Sequence, residues 1–288
     1  MKQAVLLLAH GAPERLEDVP EYLQRVRGGR PVDARVLEEV KRRYAEIGGC
    51  SPLTRWTRAQ AEALERALGI PVYFGMRNWH PFIRETMERI AADGIERLAA
   101  VCMAPQYSKS SVGLYFRRTQ EAKVAAGARA GIVWAKSFHA HPLLIEAFAE
   151  RLKPVGRVVF TAHSLPEKAL EQADPYDSEA RGTAAAVAAR LGLAQYDFAY
   201  QSQGLTSDAW LGPTVESVLD RCAAEGVREV TLAPVGFVCD HVEILYDVDI
   251  QFRKYAAARG MALRRPESLN DSAKFTAALA DISKRCLG

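Results

Sequence analysis

A chain of 288 residues, 49% hydrophobic and 25% charged, is long enough for one large domain or two ordinary lobes and has the make-up of a soluble globular protein. Its 38 lysines and arginines against 35 aspartates and glutamates leave a formal charge of +3. That is too little to argue for nucleic acid, but it suits an anionic small molecule held by local arginines.

In chain order, MKQAVLLLAHG has one lysine and an apolar run shorter than the roughly 7 to 15 residues of a secretory core, so it predicts a buried first strand, Ala4–Ala9. The cytoplasm is then the expected compartment. A polar stretch follows, with helical spacing over Leu37–Ile47 and a tight turn at Gly48-Gly49 before Ser51-Pro52. Further strands are expected at Val72–Gly75, Leu98–Ala104 and Ile132–Ala135, with helices over Arg58–Leu68, Pro81–Asp93 and Leu143–Leu152. The second half predicts strands at Val158–Ala162, Phe198–Gln201, Val230–Pro234 and Ala262–Arg264, with helices over Glu179–Leu191 and Val215–Glu225. No apolar run approaches the roughly 18 to 20 residues that span a bilayer, so no stable membrane insertion is expected. Five scattered cysteines (Cys50, Cys102, Cys222, Cys239, Cys286) form no CxxC pair, so neither a disulfide framework nor an iron–sulfur cluster is expected.

Alternation on this scale builds parallel sheets with crossover helices. The halves echo each other: the first strand of each ends in Ala-His (Ala9-His10, Ala162-His163) and the third in Ala-Pro (Ala104-Pro105, Ala233-Pro234). Two α/β lobes, 1–148 and 149–288, are the expectation. Ligands of open parallel sheets sit beyond the carboxyl ends of the strands. The unusual polar clusters fall there: His10, Arg77 to His80 and Gln106 to Ser111 in the first lobe, His163, Gln201 to Ser207 and Asp240 to Asp249 in the second.

Imidazole titrates near neutrality and can take a proton or bind a metal, which singles out His163 in TAHSLPE; a plain strand-to-helix turn is the competing account. In CDHVEILYDVDIQ, Glu243 and Asp247 share one face of an expected α-helix, Gln251 continues the line, and carboxylates on a buried face need partners. A solvated acidic face is the alternative. Arg27, Arg30, Arg42 and Arg43 lie upstream of the glycine turn, and for Arg30 and Arg42 a solvent face is preferred. HGAPERL is not a phosphate-binding glycine fingerprint, which disfavours a nucleotide enzyme. The residues by themselves give a two-lobed α/β enzyme with a cleft.

Seven stretches in order make the chain resemble the ferrochelatases over nearly its whole length: AHGAP at 9–13, RYAEIGGCSPL at 43–53, YFGMRNWHPF at 73–82, APQYS at 104–108, HSLPE at 163–167, YQSQGLTSDAWLGP at 200–213 and PVGFVCDHVEILYD at 234–247. The resemblance implies a chelatase-like fold of two Rossmann-like lobes around a porphyrin cleft, each with a four-stranded parallel sheet flanked by helices, and a last helix, about 271–286, packing back on the first lobe. It implies insertion of ferrous iron into a porphyrin, with His163 and Glu243 catalytic and Asp247 continuing the acidic line. Which of His163 and Glu243 takes the pyrrole protons stays open, and Gln251, where many relatives have glutamate, puts an outer divalent-ion site in doubt. Iron and porphyrin are substrates; no cofactor is required, no nucleic acid is bound, and contacts with other haem-pathway enzymes are at most transient.

The polar stretch EYLQRVRGGRPVDARVLEEVKRRY resembles the coproporphyrin III enzymes, whose contact positions match Arg27, Arg43, Tyr44, Ser51 and Tyr115. GMRNWHPF is closer to the protoporphyrin IX group, and coproporphyrin III is the favoured reading. His10 departs from a tyrosine common in that subgroup; it is expected to line the cleft, and its imidazole could ligate iron opposite His163. A sirohydrochlorin chelatase and a non-catalytic haem carrier are the remaining alternatives.

Overall fold

The apolar runs lie in two parallel sheets in the computed structural model, which describes residues 1–204 and 208–288 apart from the side chains of residues 169, 171 and 172. Residues 205–207 of the expected Gln201 to Ser207 cluster thus lie outside the described residues. β1 (Gln3–Ala9), β2 (Val72–Met76), β3 (Arg97–Cys102) and β4 (Gly131–Ala135) take the order β2-β1-β3-β4. β5 (Arg157–His163), β6 (Asp197–Gln201), β7 (Glu229–Pro234) and β8 (Ala262–Arg264) repeat it as β6-β5-β7-β8. All pairings are parallel. Ala4 to Leu8 are wholly buried, as a central strand covered on both faces requires.

Helices α1 (Val19–Val26) and α2 (Ala34–Glu46) precede α3 (Leu53–Leu68), α4 (Ile83–Ala92), α5 (Val112–Ala125) and α6 (Pro142–Arg151). The Asp33 carboxylate starts α2 by accepting the Arg35 N–H at 2.8 Å. The expected lobe boundary at 148/149 falls within α6, and the second sheet begins after it. There α7 (Tyr176–Arg190) and α8 (Val215–Ala224) follow their strands. The acidic segment expected as an α-helix is instead a π-helix, Glu243–Phe252, running into α9 (Arg253–Ala257). Its wider turns are rare and concentrate at functional sites.

The last helix, α10 (Ala273–Leu287), packs on α3 and β3 of the first lobe as well as on α6, and Arg97 Nη2 donates to the Cys286 carbonyl at 3.0 Å. One buried apolar cluster joins Val5 and Val101 of the first sheet to Val158 and Phe160 of the second through Leu144, Phe275 and Leu279. No helix among the described residues is long and apolar enough to cross a membrane.

Each strand order reverses once, between β1 and β3 and between β5 and β7. A reversal sends neighbouring connections to opposite faces and opens a crevice beyond the strand ends. The two crevices face one cavity.

Candidate active site

The cavity, of about 320 Å³, is lined from the first lobe by His10 and Ala104, which follow β1 and β3, and from the second by His163, Gly236 and Glu243. His163 ends β5, while Glu243 opens the π-helix after the β7 loop. The loop passes so close to β5 that a Cβ on Gly236 would lie 2.9 Å from Ala162 Cα. That approach brings His163 Nε2 to 3.6 Å from Glu243 Oε1, with the side chains 33% and 36% exposed, open to the cleft and not sealed in the core. His163 Nδ1–H donates to the Ser164 carbonyl, and the Tyr176 hydroxyl donates to the His163 carbonyl at 2.8 Å. The ring orientation is thereby fixed with Nε2 toward the carboxylate.

Burial alone would strip the proton from His163, but the Glu243 charge overrides it and raises the imidazole to about 9. Burial would likewise raise Glu243, and the adjacent imidazolium instead lowers it to about 2. The resting pair is imidazolium and carboxylate. His10 is the opposite case: burial, followed by the charge of Arg77, lowers it to about 4. His241, on the same wall, is lowered chiefly by burial. Of the three cavity histidines only His163 has a carboxylate within reach, and only it is charged at neutral pH.

Glu243 is held from behind. Three residues earlier, the Asp240 carboxylate accepts Arg265 Nη1 at 3.1 Å, Ser268 Oγ at 2.7 Å and Asn270 Nδ2 at 2.8 Å. Arg265 also grips Asp249, within the π-helix, through Nε at 2.9 Å and Nη2 at 2.7 Å. The fork ties the residue before the π-helix to its third quarter, a bidentate arrangement that fixes geometry as well as charge. From the first lobe, Gln60 Nε2 donates to the Asn270 carbonyl at 2.8 Å.

Of the residues expected at the site, His10, Tyr44, Ser51, Tyr115, His163 and Glu243 line the cavity, whereas Arg27, Arg43 and Asp247 do not. Arg27 is exposed at the end of α1. Arg43 lies over the Tyr246 ring, 5.2 Å from its centre, with Nη1 3.7 Å from Asp247. Asp247 is buried, accepts the Ser202 hydroxyl, and is raised to about 6 by burial and the Glu243 charge. His10 lines the cavity with both ring nitrogens engaged: Nδ1 lies 3.1 Å from the Gly11 carbonyl and 3.2 Å from Tyr22 Oη, and Asn78 Nδ2 lies 3.1 Å from Nε2. Tyr44 is 1% exposed, and its hydroxyl sits beside Tyr22 without a well-formed hydrogen bond. Sequence reading did not single out Tyr22, Asn78 or Tyr176 as site residues. Asn78 stood inside a noted polar cluster; Tyr22 and Tyr176 carry no local signal.

A family model described as Ferrochelatase matches residues 2–287. The chain is 47% identical over 311 aligned positions to a ferrochelatase of Acidobacterium capsulatum, covering 98% of this chain and 94% of that one. It is 34% identical to a coproporphyrin III ferrochelatase of a Geobacillus species, covering 98% and 96%. Among solved structures, the sirohydrochlorin chelatase SirB from Bacillus subtilis subspecies spizizenii, in complex with cobalt, superposes with a TM-score of 0.66 at 13% identity over 99% of this chain and 95% of that one. At that identity the likeness is one of fold.

Proposed function

The chain belongs to the ferrochelatase family, and from that premise we propose that it inserts ferrous iron into coproporphyrin III at the His163–Glu243 pair. The observation that carries this reading is the 3.6 Å imidazole–carboxylate contact facing a cavity between two sheet switch points. A free-base porphyrin must lose two pyrrole protons as the metal enters. Glu243 is ionised and accepts the first, passes it outward by way of Asp247 and, ionised again, accepts the second; His163 already holds a proton at Nε2 and cannot take either. As a ligand, His163 first yields that proton, as any imidazole must before it binds metal. Carboxylate and imidazole then steer iron from one side of the ring, with proton removal by a positioned base as the catalytic contribution. Asp247, behind Glu243 and partly protonated at neutral pH, relays protons outward. No cofactor beyond the two substrates is called for, and the cytoplasm is the compartment proposed.

Coproporphyrin is supported by the polar α1–α2 segment and by the hydroxyls of Ser51 and Tyr115 on the first-lobe wall. Four propionates against two need more such donors. The protoporphyrin reading keeps the resemblance of residues 75–82 in its favour. Anaerobic iron insertion into coproporphyrin III and protoporphyrin IX, measured side by side, separates them. A larger kcat/KM on coproporphyrin III is expected; the reverse order sinks the substrate assignment.

A further inference from the structure

Beside the cavity runs a second, larger space of about 1310 Å³, an open groove between α1, α4 and α5. Among the described residues, Arg77 is the one that lines both. It follows β2 directly and carries its guanidinium over the Tyr115 ring, 4.9 Å from the ring centre.

The other groove cations are already paired. Arg25 meets Glu21 at 2.6 Å, Arg84 meets Glu88 at 3.0 Å and Arg118 meets Glu121 at 3.0 Å. Arg77 has no carboxylate partner among the described residues, and its Nη1 is buried without a hydrogen bond. Taking a guanidinium nitrogen out of water with nothing to donate to is costly. Its charge also goes unneutralised, since it reaches His10 and helps keep that ring deprotonated. A site with one uncompensated, partly buried cation beside a catalytic cavity lacks an anion.

We propose that Arg77 is an anion subsite that takes one carboxylate side chain of the bound porphyrin, at the point where the cavity opens into the groove. This rests on the porphyrin-chelatase reading above. The planar fork of arginine suits a carboxylate, Tyr115 stacks beneath it, and the groove gives an edge substituent room to lie. The macrocycle is thereby oriented in its own plane, with its centre under the His163–Glu243 pair.

Porphyrin fluorescence quenching on the full chain tests this with Arg77→Met, Arg77→Gln and Arg77→Lys. Loss of one charge-assisted bond predicts a rise in coproporphyrin III Kd of about tenfold, about 1.4 kcal/mol, for Met and Gln, with Lys recovering part of it. The gap from wild type narrows as salt is added, and kcat at saturation falls less than KM rises. A porphyrin with all carboxylates esterified, presented in the same detergent to each protein, shows no such gap. Unchanged Kd in all three variants overturns the proposal. So does equal weakening of the esterified ring, which makes Arg77 mere packing, or a fall in kcat with Kd intact, which makes it act on His10. The measurement is made on coproporphyrin III and protoporphyrin IX alike, because both carry propionates. A wild-type preference for protoporphyrin sinks only the substrate reading; an Arg77-independent Kd sinks only this one.

Discussion

His163 and Glu243 share one proton-dependent interaction, and their displaced titrations state when it holds. The imidazole moves up from 6.5 to about 9, so its contribution to stability is complete below 6.5 and is lost as pH rises through about 9. The carboxylate moves down from 4.5 to about 2, so its share is present above 4.5 and is lost as pH falls through about 2. NMR of the His163 ring is expected to show titration near 9 in the wild type and at or below 6.5 in Glu243→Gln; a ring that titrates identically in both contradicts the pairing. On the proposed reading His163 sheds its proton to bind metal, so kcat/KM for iron is expected to rise from pH 7 toward 9. A rate that falls over that interval places the proton elsewhere. His10 gives a separate test. Asn78 occupies its Nε2, so the wild-type iron–porphyrin complex is expected to lack a His10 nitrogen ligand, and Asn78→Ala is expected to gain one, seen as a low-spin spectrum with His163 on the opposite face. A low-spin spectrum in the wild type that vanishes in His10→Ala contradicts this.

At the scale of elements, position comes from close approaches and from a buried ion network. Gly236→Ala puts a methyl 2.9 Å from Ala162 Cα and 3.4 Å from the His163 nitrogen. Overpacking of that kind costs about 1–3 kcal/mol and moves the strand end that carries His163. Urea unfolding and insertion rate are expected to fall together, and a variant normal in both refutes the coupling. Arg265→Met strands Asp240, only 17% exposed, without its cation and leaves Asp249, 22% exposed, with Arg253 alone at 3.5 Å. The expected loss is about 3 kcal/mol, with Lys recovering part because it keeps charge but not the fork; a thermal midpoint equal to wild type contradicts it. The eight strands were legible to within about two residues because buried parallel strands are near-continuous apolar runs. Helix α5 was not, since Tyr115 and Val112 face inward without a sustained helical period. The α-helix expected over Glu243 to Gln251 is a π-helix, a change of one residue in hydrogen-bond span that side-chain pattern does not encode over ten positions. His163 and Glu243 stood out in their motifs and Arg77 in the polar cluster after its strand, whereas Tyr22 and Tyr176 reach the cavity only through tertiary approach.

The whole molecule behaves as a unit because its two sheets share a core and bind each other across the cleft. Gln106 Nε2 donates from the first lobe to Thr183 Oγ1 and to the Val235 carbonyl of the second, both at 3.0 Å. Together with α10, these contacts predict one cooperative unfolding transition, seen alike by near-UV circular dichroism and by loss of activity. Leu279→Ala, which empties a fully buried position in the shared core, is expected to lower stability by about 2–5 kcal/mol while keeping the transition single. Two resolved transitions contradict the shared core. On the proposed reading, the fold delivers an imidazole and a carboxylate from separate segments facing one macrocycle-binding gap. Single-turnover iron insertion into prebound coproporphyrin, under anaerobic conditions, tests that most directly when wild type is set against Glu243→Gln. Unchanged porphyrin affinity with insertion slowed at least about 100-fold is the predicted result; insertion at the wild-type rate contradicts the account.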